Sequence, residues 1–411
     1  MQKCQVGWRR SSGGANFSFM IPRPKSPVLL SLALTLAVLA PAAATAQDDP
    51  CKAVLAAVRA RHAPDRRVAV FDITCVQQAT QLVVKGDVDQ ASARRDIVAA
   101  LEAARFGLIV DSIRVLPDPT LADRPFGIVK VSVGNVRSNP AHSAELATQV
   151  MMGMVVKVLK KQGDWYFIQG PDQYLGWLEG AAMHLTRQAG ADAWQNGPKV
   201  IMTAYFGVVR TRPDTASLPV SDAVPGVLFK AGAVQGKWRA VETPDGRKGY
   251  IERRLVADHA RWKSTRSLTA ETVEQTAKRF IGVPYLWGGT SPKGMDCSGF
   301  TKTVFRLNGM ELNRDANQQA QMGIDVPAGD DMRQLLKGDL LFFGQQASAE
   351  RPERITHVGI YLQDKAIIHT PGGSGVRIDS FDPAAPNYND GLVKSLVRAR
   401  RVIGAARPVQ P

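Results

Sequence analysis

Residues 294–300 read GMDCSGF, and the reading of that stretch decides the fold of the last third of the chain. An aspartate precedes a cysteine at what reads as the start of a helix over 297–308. That helix would carry Phe300, Val304 and Leu307 on one face and end at Asn308-Gly309. Upstream, TAETVEQTAKRFIG (269–282) is an amphipathic helix, with Thr269 as its N-cap and Gly282 near its C-terminus. Downstream, GDLLFF, HVGIYL and KAIIHT read as successive strands. From about residue 265 the pattern is therefore α+β.

A lone cysteine is ordinarily a small buried hydrophobe, so Cys297 has to be judged by its company. Two of the chain's six histidines fall in this segment: His357 opens HVGIYL and His369 ends KAIIHT. A tight turn around Gln363-Asp364 would pair these strands as a hairpin and bring both imidazoles to one end of a sheet. A helix N-terminus packed there would set Cys297 beside them. A helix N-terminus and a neighbouring imidazolium both favour the thiolate, which predicts a lowered thiol pKa. His357 can then carry the proton to a leaving amine, and His369 can orient it through a ring-to-ring hydrogen bond. The orienter is expected to be neutral, because a pair that starts charged has less need of a buried carboxylate. A Cys/His/His zinc site is the alternative reading, although no CxxC or HExxH spacing accompanies it. No cofactor is expected.

The chain has 411 residues, more than one core organises, so several domains are expected. A basic stretch, MIPRPKSP, and the apolar run VLLSLALTLAVLAPAAATA precede Asp48, the first acidic residue. This describes a secretory signal over residues 1–46, too short in its apolar core to be a stable membrane anchor. The expected location is periplasmic or otherwise extracytoplasmic. Removing five basic residues with the signal takes the formal charge from +15 to +10. A basic exported protein suits an anionic polymer such as the cell wall, and no RNA-binding motif or basic run points to nucleic acid. Cys51 and Cys75 can then pair in an oxidising compartment, which leaves Cys297 as the odd thiol.

Residues 47–122 read as a small α+β domain. Its helices are CKAVLAAVRARHA and ASARRDIVAALEAARFG, and its strands RRVAVFDITCV and TQLVVKGDV. His62 is expected to be exposed. Then the chain repeats itself: an offset of 73 aligns Gly134–Trp177 with Gly207–Tyr250 without a gap. Gly153 falls on Gly226, Trp165 on Trp238, and PD at 171–172 on PD at 244–245. Short β-type segments between Gly, Pro and Asp turns indicate two small barrels, over 125–190 and 197–260. Glu145 and Tyr174 stand out because the second copy has Leu218 and Arg247 in their places. His142, His184 and His259 sit in loops or domain edges and carry no chemistry.

The pattern VRxxP, GxW, PDxxxGW resembles bacterial SH3 domains. Within 265–405, GVPYLWGGTSPKGMDCSGF, LNRDANQQAQMG, KGDLLFF, THVGIYL and IIHTPGG together resemble the NlpC family of papain-like cell-wall cysteine peptidases. With the paired SH3-like units, the resemblance is to the subgroup that cleaves the γ-D-glutamyl–diamino acid bond of murein stem peptides. It implies Cys297 as nucleophile, His357 as base and acid, His369 as orienting residue and Tyr285 as an oxyanion donor. It implies that Asp296, Glu145 and Tyr174 hold the free amine of the stem's L-Ala. Ser298, Trp287, Arg314 and Asp315 would line the substrate pocket. Ala316 departs from the subgroup's serine, and GQQASAERPERIT (344–356) is a longer polar loop at the cleft rim. A wall-binding scaffold without activity, or an enzyme acting on intact cross-linked wall, are the other readings.

Overall fold

A computed structural model describes residues 51–121, 123–329 and 331–405. The secretory-signal expectation lies outside the described residues. In the N-terminal region, helices Lys52–His62 and Ala91–Ala103 bury Leu55, Val58, Ile97 and Leu101 against a three-stranded sheet. The hairpin Phe71–Gln78/Gln81–Val88 is joined by a parallel strand, Leu108–Val115, with the second helix as the crossover. That third strand escapes the sequence pattern because only Ile113 of its eight residues is buried. Cys51 and Cys75 form a disulfide, Cα atoms 6.2 Å apart. His62 departs from expectation: its side chain is mostly buried and its Nε2 lies 2.8 Å from Asp96.

Two seven-stranded barrels follow, and the 73-residue offset governs their backbones more widely than their sequences. Val155–Gln162, Trp165–Gln169 and Leu175–Glu179 recur as Leu228–Gln235, Trp238–Glu242 and Lys248–Glu252. The flanking strand Phe126–Val129 recurs as Lys199–Met202. Even the irregularities repeat. A register shift follows Val136 and Val209, and the Arg137 and Arg210 guanidiniums donate to the carbonyls of Ala144 and Ser217.

The last region stacks helices on a six-stranded antiparallel sheet, completing the α+β, multi-domain architecture. Thr269 caps the helix Ala270–Lys278, which ends earlier than expected, in a turn that leads to Gly282 at φ +86°. The helix Cys297–Leu307 is capped by Asp296, whose Oδ1 accepts from the Gly299 N–H at 2.7 Å. Phe300 and Val304 pack on Leu340, Phe342, Val358 and Ile360 of the sheet. The opposite face is covered by Leu392 of the helix Asp390–Ser395, against Leu341, Phe343 and Tyr361. Burial on both faces explains why GDLLFF is a continuous apolar run.

Strands Arg354–Gln363 and Ala366–His369 form the expected hairpin, with the turn one residue later, at Asp364-Lys365. Both turn residues have positive φ, the geometry that matches strand twist. Gly359 faces His369, and a Cβ there would lie 2.9 Å from the histidine Cβ. Glycine at that position is what lets His369 approach its neighbour strand.

Candidate active site

The N-cap places Cys297 at the first turn of its helix, 8% exposed, where it meets the start of the strand that carries His357. The backbone N–H groups of Val358 and Ser298 hydrogen-bond its sulfur. Burial nonetheless dominates and pushes the thiol up to about 12, with the Asp296 charge adding to it. Burial also brings the His357 imidazole down to about 3, reinforced by His369 and opposed by Asp379. This corrects the expectation of a lowered thiol pKa. The helix end and N–H donors pull in the predicted direction, but in the resting site desolvation is the larger effect.

His357 Nε2 lies 2.7 Å from His369 Nδ1, and His369 Nε2 lies 3.1 Å from Asp379 Oδ2. The buried Asp379 also accepts two bonds from Arg377 and one from Asn389 at 2.6 Å. Burial alone would raise its pKa, yet the His369, Arg377 and Asn389 bonds hold it well below the usual carboxylate range. An ionised carboxylate only accepts, so His369 Nε2 must carry a proton and its Nδ1 a lone pair. His357 then donates from Nε2, which leaves its Nδ1 lone pair able to accept a proton. A carboxylate therefore stands behind His369, where the sequence reading had seen less need of one. Asp379 was within reach of that reading: it sits in the strand Arg377–Ser380, which pairs with the His369 strand. The three side chains do not converge as metal ligands. Among the described residues no group of three or more His, Cys, Asp or Glu is arranged to hold a metal ion.

Tyr285 adjoins the thiol. Burial, with Cys297 and Asp296 nearby, pushes its hydroxyl up to about 12, so it stays a donor at neutral pH. Asp296, expected to meet a substrate amine, is taken up within the protein. Its oxygens accept from Arg314 at 3.1 and 2.6 Å, Gly299 at 2.7 Å and Gly288 at 2.9 Å, with the Ser298 hydroxyl at 3.3 Å. Ser298 likewise turns inward and accepts from Arg314 at 3.0 Å. Arg314 is buried and pairs with Asp296; Asp315 Oδ1 is 3.9 Å away.

The first barrel forms one wall of this site. Glu145 accepts from the Trp287 indole N–H at 2.6 Å, Gln149 from Thr290 N–H at 2.9 Å, and Thr148 from Arg314 at 3.0 Å. Trp287 is 62% exposed, and Glu145 is exposed beside it. Tyr174 is buried, and its hydroxyl donates to Asp315 at 3.0 Å. The N-terminal domain reaches the same carboxylate: Arg67 donates to Asp315 at 2.7 Å, and Gln318 donates to Asp65 at 2.7 Å. Arg67 bonds also hold Asp65 down at about 2 against its burial. Nothing in PDRR (64–67) signals this contact, whose partners are 248 residues apart. In the second barrel the matching positions do other work: Leu218 is exposed, and Arg247 donates to backbone carbonyls of Val220 and Lys130.

A buried thiol at a helix start, a tautomer-fixed imidazole and a carboxylate anchor on an α+β scaffold define a cysteine peptidase. The comparisons agree in detail. Residues 282–395 match the NlpC/P60 family, 136–183 the bacterial dipeptidyl-peptidase Sh3 domain, and 204–258 a bacterial SH3 domain. A gamma-D-glutamyl-L-lysine dipeptidyl-peptidase of Bacillus subtilis is 32% identical over 55% of this chain and 72% of its own length. The protein of the same name from Bacillus cereus is 28% identical over 63% of this chain and 76% of its own. The crystal structure of a NlpC/P60 family protein from Bacillus cereus superposes with a TM-score of 0.58. It is 24% identical and covers 67% of this chain and 99% of its own, a likeness of fold. The chain belongs to the NlpC/P60 family.

Proposed function

We propose that this cysteine peptidase hydrolyses the γ-D-glutamyl–diamino acid bond of murein stem peptides with a free N-terminal L-Ala. The reading includes export through residues 1–46 to an extracytoplasmic site. The observation that carries it is the Cys297–His357–His369–Asp379 arrangement, walled on one side by Glu145, Gln149 and Tyr174 of the first barrel.

His357 Nδ1 takes the thiol proton as sulfur attacks the γ-carbonyl carbon, so the ion pair forms as the reaction begins. The Cys297 N–H and the Tyr285 hydroxyl donate to the developing oxyanion. His357 returns the proton to the departing amine, leaving a thioester of the γ-glutamyl group. Water, deprotonated by the same imidazole, then releases the acid. Support at the acyl end comes from the wall itself, which stands against Trp287, Thr290 and Arg314 beside Cys297. There Glu145 is the exposed carboxylate that can meet an ammonium. Asp296 acts one step back, holding Arg314, the Gly288 loop and the start of the nucleophile helix together. Tyr174 does the same through Asp315.

The test is cleavage of L-Ala-γ-D-Glu-meso-diaminopimelate beside its N-acetylated form. Cys297→Ala should abolish turnover with an unchanged circular dichroism spectrum, and retained turnover would sink the reading. The free-amine substrate should be preferred, and Glu145→Gln should narrow that preference. Binding to murein without release of soluble peptide would instead favour a scaffold.

A further inference from the structure

A cavity of about 440 Å³ lies beside the two imidazoles, large enough for a small-molecule group. His357 and His369 line it together with Arg354, Thr356, Pro371 and Asn389. Cys297, Tyr285 and the first-barrel residues do not line it, so it flanks the imidazoles apart from the barrel wall. His357 must hand its proton to the leaving amine, and the departing residue therefore occupies this side.

Arg354 is the unusual member of the lining. It is exposed at the start of the base strand, three residues before His357. Three other cations nearby are paired: Arg377 with Asp379, Arg398 with Glu353 and Lys394 with Asp390. Among the described residues the Arg354 guanidinium has neither a hydrogen bond nor an ion pair. The adjoining hollow shares Gly344, Gln345 and Ser395 and adds Arg351 from the same loop. The polar insertion GQQASAERPERIT thus carries positive charge to the leaving-group side.

We infer that Arg354 binds a carboxylate of the departing diamino acid, making this cavity the leaving-group subsite. The inference rests on the peptidase reading above. A guanidinium suits a planar carboxylate, and an unpaired one at a cleft is poised to gain a charge-assisted bond on binding. The carboxylate has two sources: the α-carboxylate, present when the diamino acid ends the peptide, or the distal carboxylate that diaminopimelate has and lysine lacks.

Three substrates separate them: L-Ala-γ-D-Glu-L-Lys, its C-terminal amide, and L-Ala-γ-D-Glu-meso-diaminopimelate. Two ratios of kcat/KM are read, acid over amide for the lysine peptides and diaminopimelate over lysine. Arg354→Ala should lower at least one ratio about tenfold, the worth of one charge-assisted contact, with Arg354→Lys intermediate. A fall in the first ratio names the α-carboxylate, and a fall in the second the distal one. If neither ratio moves, or the wild type shows no preference in either, the inference is overturned. Failure of the peptidase reading looks different, because wild-type protein would then cleave none of the three.

Discussion

Replacing Asp379 by Asn tests the proton assignments on which the mechanism depends. Three donors converge on Oδ2, from His369, Arg377 and Asn389, whereas Oδ1 receives the Arg377 Nε–H. The introduced amide would therefore turn its carbonyl oxygen to the Oδ2 position and keep the histidine tautomers, removing the charge together with the bond that Oδ1 accepts from the Arg377 Nε–H. That charge lies roughly 8 Å from the His357 ring across one imidazole, where an effective dielectric of about 20 makes it worth about 2 kcal/mol. Arg377 already offsets part of it, leaving about 1.4 kcal/mol, or about tenfold, for the imidazolium that forms as the thiol ionises.

The expected result is a kcat about tenfold lower with KM little changed, measured on the free stem peptide. The pH profile checks the sign independently. Burial lowers His357 from 6.5 to about 3, so the base stays neutral and competent as pH falls through 6.5. The acid limb of kcat/KM should lie well below 6.5. Asp379 raises the His357 pKa, so its neutralisation should move that limb lower still. A kcat within twofold of wild type, a loss wholly in KM, or a limb displaced upward would refute the reasoning.

Two other substitutions probe the barrel wall and the buried ion pair. At Gly288, φ is +78° and a Cβ would lie 2.1 Å from the Leu146 carbonyl oxygen of the first barrel. Gly288→Ala should push the wall from the cleft, lowering kcat/KM more than about tenfold while speeding alkylation of Cys297 by iodoacetamide; slower or unchanged alkylation would count against a closed wall. Arg314→Met leaves the buried Asp296 charge uncompensated and should cost about 3–5 kcal/mol in urea unfolding, with Asp296→Asn added to it recovering part of the loss.

Legibility in the sequence followed range along the chain. The hairpin was readable because the strands of His357 and His369 are joined by a short turn, and the order of pairing is local. The 73-residue repeat was readable because turn glycines and core tryptophans serve the same backbone twice. Helix ends were less secure: Ala270–Lys278 stops short of Gly282, where a turn takes the chain toward the nucleophile loop. The site's carboxylates were the least legible. Asp296, Asp315 and Asp379 were respectively read as a substrate contact, read as a pocket residue, and not singled out. In the fold all three are held by arginines, 18, 248 and 2 residues away in the chain.

From the sequence alone came a cysteine at a helix start, two histidines at one sheet end, paired barrels and the peptidase family they resemble. Those features rest on periodicity, capping and turn chemistry, which act over a few residues and leave a pattern in the chain. Tertiary structure alone decided that desolvation outweighs the helix end at Cys297, and that Asp379 sets the tautomers. It also turned Asp296 inward to Arg314 and brought Arg67 to Asp315. Each is an electrostatic outcome, set by which charges and how much water lie within a few ångströms once separate surfaces pack. Local sequence does not specify that environment, and this is why the residues of the site could be listed before their roles could be assigned.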